Sequence, residues 1–266
     1  SHMRGHITNM DKLVEICKTL KIQIIEDCAH TMGAKWDGKR SGNFGLVSAF
    51  STQTYKHINS GEGGFLVTND DAVIAKAIVH SGSYMLYEKH ASSPNSAIFD
   101  KVKLKTANFS GRMDNLRSSI LIPQLKDLDN KVIKWNNLYK EIYDKLKTQD
   151  DIFIPNRDKR EFYVGSSIQF RLKTFTDKKI QDFIKNCKKR GVDLKWFGDK
   201  DPIAYTSRYD SWKYIENIPV LKNTLEILKT TVDMRIPLTF DNNDCKIISE
   251  IIIEEFIKLK SKEIVI

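Results

Sequence analysis

The sequence predicts an α/β domain, a mainly parallel sheet with helices on both faces, followed by a smaller α+β domain. Three observations carry this. An amphipathic helical pattern at the start runs directly into a short β-branched strand, so the chain opens inside an alternation of helix and strand. Strand and helix signals keep alternating to about residue 80, and one long helical pattern then spans the middle. After Pro155 the order becomes strand, helix, strand, then strand and helix, the texture of a separate small layer. Residues 1–125 are expected in the first domain and 126–266, beginning with the inter-domain helix, in the second.

Each element has a local reason. Ser1-His2-Met3 reads either as a tag remnant or as native sequence. Asn9 is an N-cap before a helix that places Leu13, Val14, Ile16, Cys17 and Leu20 on one side. The run from Ile22 to Asp27 reads as a buried strand. A turn-rich stretch, Trp36 to Gly45, leads to a strand at Leu46 to Ser51. Gly61-Glu62-Gly63-Gly64 enters another strand, Phe65 to Thr68, and Asp70 caps a helix to about Val79. Ser81 to Phe109, with its Ser, Pro and Asn, reads as loop. Asp114 to about Lys147 reads as a long helix in which Pro123 predicts a kink or a division into two. Beyond it come a strand at Ser167 to Lys173, a helix capped by Thr176-Asp177 and ended by Gly191, and a strand at Val192 to Trp196. A loop from Gly198 to Asn217, a strand at Met234 to Leu238 and a helix from Asn243 to Lys260 close the chain.

Composition narrows the function. Lysine and arginine outnumber the acids by 43 to 34, a net charge of +9. The lysines are spread over helical faces and clusters such as Lys188-Lys189-Arg190 are short, so the charge reads as a solvated surface rather than a nucleic-acid patch, and a nucleotide-bearing or otherwise anionic substrate also suits its sign. No apolar stretch reaches the roughly 18–20 residues a membrane helix needs, and no secretion-signal pattern is present, so the cytoplasm is expected. The four cysteines lie far apart without a C-x-x-C pair, and neither disulfides nor a zinc site is expected.

Four features could carry chemistry. Asp27 ends a strand, where open α/β sheets place functional groups; its carboxylate could pair with a protonated ring nitrogen, hold a metal or cap a helix. Lys56 follows the next strand, and a lysine that forms an imine needs a partly desolvated site that frees its amine; the bland alternative is a surface lysine. Ser51, Thr52 and Thr54 form a hydroxyl cluster suited to a phosphate monoester, or simply a polar loop. The glycines of 61–64 are weak as a phosphate motif and fit a tight strand-entry turn. Trp196 to Trp212, with Tyr205, Arg208, Tyr209 and Asp210, offers groups that stack on or pair with a sugar nucleotide, or that pack one domain on the other.

Order and spacing join these features. Ile25-Glu26-Asp27-Cys28-Ala29-His30-Thr31-Met32-Gly33-Ala34, then Gly42-Asn43-Phe44-Gly45, then Phe50-Ser51 through Lys56 to Gly61-Glu62-Gly63-Gly64 resemble the DegT/DnrJ/EryC1/StrS family of pyridoxal-phosphate-dependent sugar aminotransferases, of fold type I. Ser110-Gly111-Arg112-Met113-Asp114 resembles the family's Arg-Met motif at the start of the inter-domain helix. The resemblance implies pyridoxal 5'-phosphate as cofactor, with Lys56 joined covalently to it and later moving a proton. It implies that Asp27 keeps the pyridine nitrogen protonated, that His30 packs near the ring hydroxyl and that Ser51 donates to the phosphate. It implies that Arg112 reaches the neighbouring subunit's site, hence a homodimer. Where the family often has Asn two residues before this arginine, the chain has Ser110. The resemblance further implies a segment of about 100 residues ahead of Ser1, the source of the main phosphate loop and of a ring that stacks on the cofactor.

The activity so implied is transfer of an amino group, from glutamate, to a keto-sugar linked to a nucleotide. A dehydratase on the same scaffold would carry His in place of Lys56. A partial fold inactive without its missing part is the non-enzymatic alternative.

Overall fold

The computed structural model describes residues 1–82, 84–204 and 207–261. They divide into two compact units, Ser1–Val132 with Asp158–Val164, and Ile133–Arg157 with the residues from Gly165 onward.

In the first unit, α1 (Met10–Thr19) starts at Asn9, whose side chain accepts the Lys12 amide at 3.1 Å. The chain leaves α1 through Lys21 at φ 54°, and the Ile22 amide returns to the Cys17 carbonyl at 2.9 Å. Ile22 thus belongs to the helix exit, and β1 is only Ile25–Asp27, shorter than expected. The turn-rich stretch holds a small hairpin, β2 (Lys35–Trp36) and β3 (Lys39–Arg40), before β4 (Val47–Ser51) and β5 (Gly64–Thr68). β1 lies parallel to β4, with Asp27 opposite Ala49, and β5 lies antiparallel on the other side of β4.

Asp70 caps α2 (Asp71–Ser81) by accepting the Val73 amide at 2.8 Å, and Gly82 ends it in the left-handed region. The segment expected to be loop contains α3 (Ser96–Val102), capped by Asn95. Its Phe99 and Val102 pack on Ala75, Ile78 and Val79 of α2, with the Tyr87 and Phe99 rings stacked 4.4 Å apart. The long helical pattern is two helices, α4 (Asn115–Lys126) and α5 (Leu128–Leu146). Pro123 stays inside α4 and its carbonyl accepts the Asp127 amide, so the break falls at Asp127 rather than at the proline.

The units part within α5. After β6 (Ile152–Phe153) of the second unit, residues 158–164 return to the first because β7 (Glu161–Phe162) pairs with β2. The first residues are woven in there as well: a Cβ on Gly5, at φ 77°, would lie 1.9 Å from the Val164 carbonyl oxygen. Buried Trp36 donates its Nε1 to Asp11 at 3.1 Å while the Arg160 guanidinium lies over its ring.

The second unit is an antiparallel sheet in the order β6, β8 (Ser167–Leu172), β10 (Thr231–Arg235), β9 (Lys195–Trp196). β10 starts three residues earlier than expected, because Val232 and Met234 are the buried positions paired with Phe170 and Ile168. With the sheet go α6 (Asp177–Lys189), α7 (Lys222–Leu228) and α8 (Asn242–Ser261). Phe175 stacks on Phe256 of α8 and meets Phe183 of α6 edge-on. Among the described residues no helix is long and apolar enough to cross a membrane.

One buried carboxylate organises the entry to β4. Glu26, 3 % exposed, takes the Phe44 and Gly45 amides on Oε1 at 2.6 and 2.8 Å. On Oε2 it takes the Gly42 amide at 2.9 Å and His2 Nε2 at 3.4 Å. His2 Nδ1 accepts the Thr8 amide at 3.5 Å, which leaves the ring proton on Nε2 to donate to Glu26. Gly42, at φ 87°, is required here, since a Cβ would meet the Phe50 ring at 2.5 Å. Burial alone would raise the Glu26 carboxyl; the His2 imidazole and the three amides outweigh it and hold the group below its ordinary 4.5. A carboxyl lowered in this way stabilises the fold above its ordinary value, and that stability is lost as pH falls through the native one. Glu26→Gln should therefore cost about 2–4 kcal/mol at neutral pH and progressively less as pH falls below 4.5. Urea unfolding at neutral pH and across the acid range checks this, and a loss independent of pH would contradict it.

Candidate active site

The parallel pairing of β1 with β4 sets the site. Both strands run the same way, so Asp27 and Ser51 come out at the same carboxyl edge, where open α/β sheets bind ligands. Each is followed by a tight turn that carries a second group: His30 three residues past Asp27, and Lys56 five past Ser51. The two turns meet, with Lys56 Nζ 3.0 Å from His30 Nε2. In that contact the amine donates and the imidazole lone pair accepts when the ring proton is on Nδ1.

Asp27 is held ionised. Its Oδ2 accepts the Ser1 hydroxyl at 2.6 Å and its Oδ1 the Ala29 amide at 3.1 Å. The Ser1 hydroxyl above all, and with it the Ala29 amide, keeps the carboxyl below its ordinary value against the cost of burial. Asp27 is exposed, whereas His30, Ser51 and Lys56 are half-buried.

The loop that carries Lys56 is fastened along its length. Thr52 and Thr54 give their amides to the Gly63 and Gly61 carbonyls at 2.9 and 2.8 Å, and the Lys56 amide goes to Gln53 at 2.9 Å. Gln124 of α4 clamps Asn59 from both sides, accepting its amide at 3.0 Å and donating to its carbonyl at 2.7 Å. Thr52 is fully buried, and the Ser51 hydroxyl accepts the Gln53 amide at 3.3 Å. Gly61, Glu62 and Gly63 form the turn into β5, which starts at Gly64. The Met113 methyl sits against Gly63, 2.5 Å from where a Cβ would be.

Arg112 is anchored on α2. Its Nη1 donates to the carbonyls of Ser81 and Gly82 at 3.4 and 3.3 Å, completing the helix end, and its guanidinium lies over the Tyr84 ring. The Arg-Met pair therefore straddles two places, with Met113 on the Lys56 loop and Arg112 on the α2 terminus. In the second unit, Arg208 is engaged by Asp210, its Nε 2.8 Å from Oδ1, beside a cavity of about 280 Å³ that Asp177, Glu226 and Lys229 also line. Tyr205 lies outside the described residues.

Three buried groups, His2, Glu26 and Cys28, come within 4.8 Å of one another, a spacing a cation accepts. Both Glu26 oxygens are already filled by four donors, and burial, with the Glu26 charge, pushes the Cys28 thiol up to about 12. The group is a hydrogen-bonded knot, and all four cysteines are free. Glu26 and Gln124 went unnoticed in the sequence. A carboxylate inside a β-branched run is a signal for the first, since buried charge must be satisfied. Gln124, 65 residues from its partner, gives none.

The family model described as the DegT/DnrJ/EryC1/StrS aminotransferase family matches residues 1–252. The chain belongs to that family. GDP-perosamine synthase of Escherichia coli O157:H7 is 32 % identical over 129 residues, 48 % of this chain and 32 % of that protein. The putative pyridoxal phosphate-dependent aminotransferase EpsN of Bacillus subtilis strain 168 is 30 % identical over 155 residues, 58 % of this chain and 37 % of its own. Among solved structures, Helicobacter pylori PseC, an aminotransferase involved in the biosynthesis of pseudoaminic acid, superposes with a TM-score of 0.79 at 17 % identity. That superposition covers 96 % of this chain and 65 % of PseC, so the chain shares the family's type I fold over a part of the family's length.

The glycines of the Lys56 loop are not equivalent. Gly63, at φ 130°, has the Met113 methyl and Thr52 Oγ1 in the way of a Cβ, whereas Gly61, at φ 90°, has open space. Gly63→Ala should cost about 2–3 kcal/mol and Gly61→Ala about 1 kcal/mol in urea unfolding. Equal costs would mean that the loop does not hold the Met113 contact.

Proposed function

We propose that Asp27, His30, Ser51 and Lys56 form part of a pyridoxal-phosphate site, and that the chain serves transfer of an amino group from glutamate to a keto-sugar carried on a nucleotide. The observation that carries this is the 3.0 Å contact joining the Lys56 amine to His30, which brings the turns after β1 and β4 together at one sheet edge. The donor set fits the cofactor: an ionised carboxylate for a ring nitrogen, an amine for an aldehyde and a serine hydroxyl for a phosphate. Family membership and the name of the relative EpsN, a putative pyridoxal phosphate-dependent aminotransferase, support the same reading.

When bound, the cofactor supplies an electron sink for the bond-breaking at the amino-bearing carbon. The residues divide the remaining work. Asp27, kept ionised by the Ser1 hydroxyl and the Ala29 amide, would hold a proton on the ring nitrogen. Lys56 Nζ would bond the aldehyde carbon and, when free, take up and return a proton, with His30 Nε2 as its hydrogen-bond acceptor. Ser51 would donate its hydroxyl proton to the phosphate while its oxygen keeps the Gln53 amide. The alternative dehydratase reading is disfavoured by the amine at position 56.

Assembly as a homodimer belongs to the same proposal. α4 mixes apolar and polar residues around its axis, and Leu116, Ile120, Ile122 and Leu125 are exposed while only Leu121 is buried. Exposed apolar side chains grouped on one helix mark an interaction surface. Arg112, just ahead of α4, would face the partner's site. The free cysteines suit a reducing compartment, and we place the protein in the cytoplasm.

With added pyridoxal phosphate and L-glutamate, amination of a nucleotide-linked keto-sugar should fall by about 10³-fold in Lys56→Ala. Asp27→Asn should be nearly as damaging. Normal glutamate-dependent turnover in Lys56→Ala would refute the assignment, and ammonia release without glutamate would favour a dehydratase.

A further inference from the structure

We propose that Glu26 is a positioning residue for Asp27, fixing the site's carboxylate from the opposite face of the sheet. This rests on the reading of Asp27 as the partner of a pyridine nitrogen. Adjacent residues of a strand point to opposite faces, so whatever immobilises Glu26 also sets the direction of Asp27. β1 is only three residues long, and among the described residues it pairs with β4. A strand that short has little of its own to resist rotation.

Glu26 supplies the missing constraint. Its four donors come from two segments distant in sequence: His2 from one, and the amides of Gly42, Phe44 and Gly45 from the other. The first segment also touches Asp27 itself, and the second is continuous with β4. Ser1, next to His2, donates to Asp27, and the His2 amide bonds the Asp27 carbonyl at 3.0 Å. The 42–45 loop leads into β4, which ends in Ser51. Turning Glu26 away would release the strand that aims Asp27 and the loop that sets the register of Ser51.

The Ala29 amide, held by Asp27 Oδ1, reports the carboxylate's orientation without any cofactor. Amide hydrogen exchange should show about tenfold faster exchange at Gly42, Phe44, Gly45 and Ala29 in Glu26→Gln, and a smaller rise at Ala29 in His2→Leu. Ile78→Ala, in the α2–α3 cluster of the same unit, should weaken the fold and leave Ala29 unchanged. Acceleration at the loop amides with Ala29 unmoved would make Glu26 a loop staple only. Equal acceleration in Ile78→Ala would reduce the effect to general loosening. Either result overturns the proposal. If Glu26→Gln does not fold, His2→Leu decides: faster exchange at Ala29 supports the proposal, and an unchanged rate sinks it. Titration with pyridoxal phosphate then separates the two ideas. Glu26→Gln should bind about tenfold more weakly than the parent. A parent chain that takes up none would count against the proposed function while leaving the exchange result standing.

Discussion

Parallel pairing of two short strands is the constraint on which everything else rests. Had β1 run antiparallel to β4, Asp27 and Ser51 would lie at opposite ends of the sheet, and no loop of five residues could return Lys56 to His30. Because the strands run together, four groups spread over 30 residues gather at one edge. The chemistry asked of them is ordinary for their types: a carboxylate kept charged by donors, an amine with an acceptor at hydrogen-bond distance, and a hydroxyl at a strand end.

The opposite face of the same strands is where the stability lies. Glu26 is a buried charge that survives because every lone pair meets a donor, and the glycines at 42 and 45 let the backbone come close enough to provide them. A Cβ on Gly45 would lie 2.4 Å from the Ile24 carbonyl oxygen. Motif residues that look like parts of a binding site can thus serve it indirectly. Gly42-Asn43-Phe44-Gly45 offers its amides to the protein's own carboxylate.

Most of the candidate site was legible because it is local. Asp27, His30, Ser51 and Lys56 sit in one stretch whose strands and turns announce themselves, and their order carries the resemblance. What was hidden depends on distant partners. β7 is two residues long and exists only because β2 accepts it, so no pattern marked the return of residues 158–164 to the first unit. α3 lay in a stretch whose Ser, Pro and Asn argued for loop; Asn95 proved to be its cap, and the α2 surface stabilises it. The strand expected from Ile22 lost its first residues to the turn after α1, where Lys21 adopts a left-handed conformation that composition does not betray. The break between α4 and α5 was misplaced in the same way, since Pro123 is the visible signal and Asp127 the actual one.

The covalent chemistry assigned to one amine can be read directly. The protein is incubated with pyridoxal phosphate, reduced with borohydride, digested and mapped by mass spectrometry. A pyridoxyl adduct concentrated on the peptide that contains Lys56 is the expected result. An adduct scattered over surface lysines, with the Lys56 peptide unmodified, would contradict the assignment.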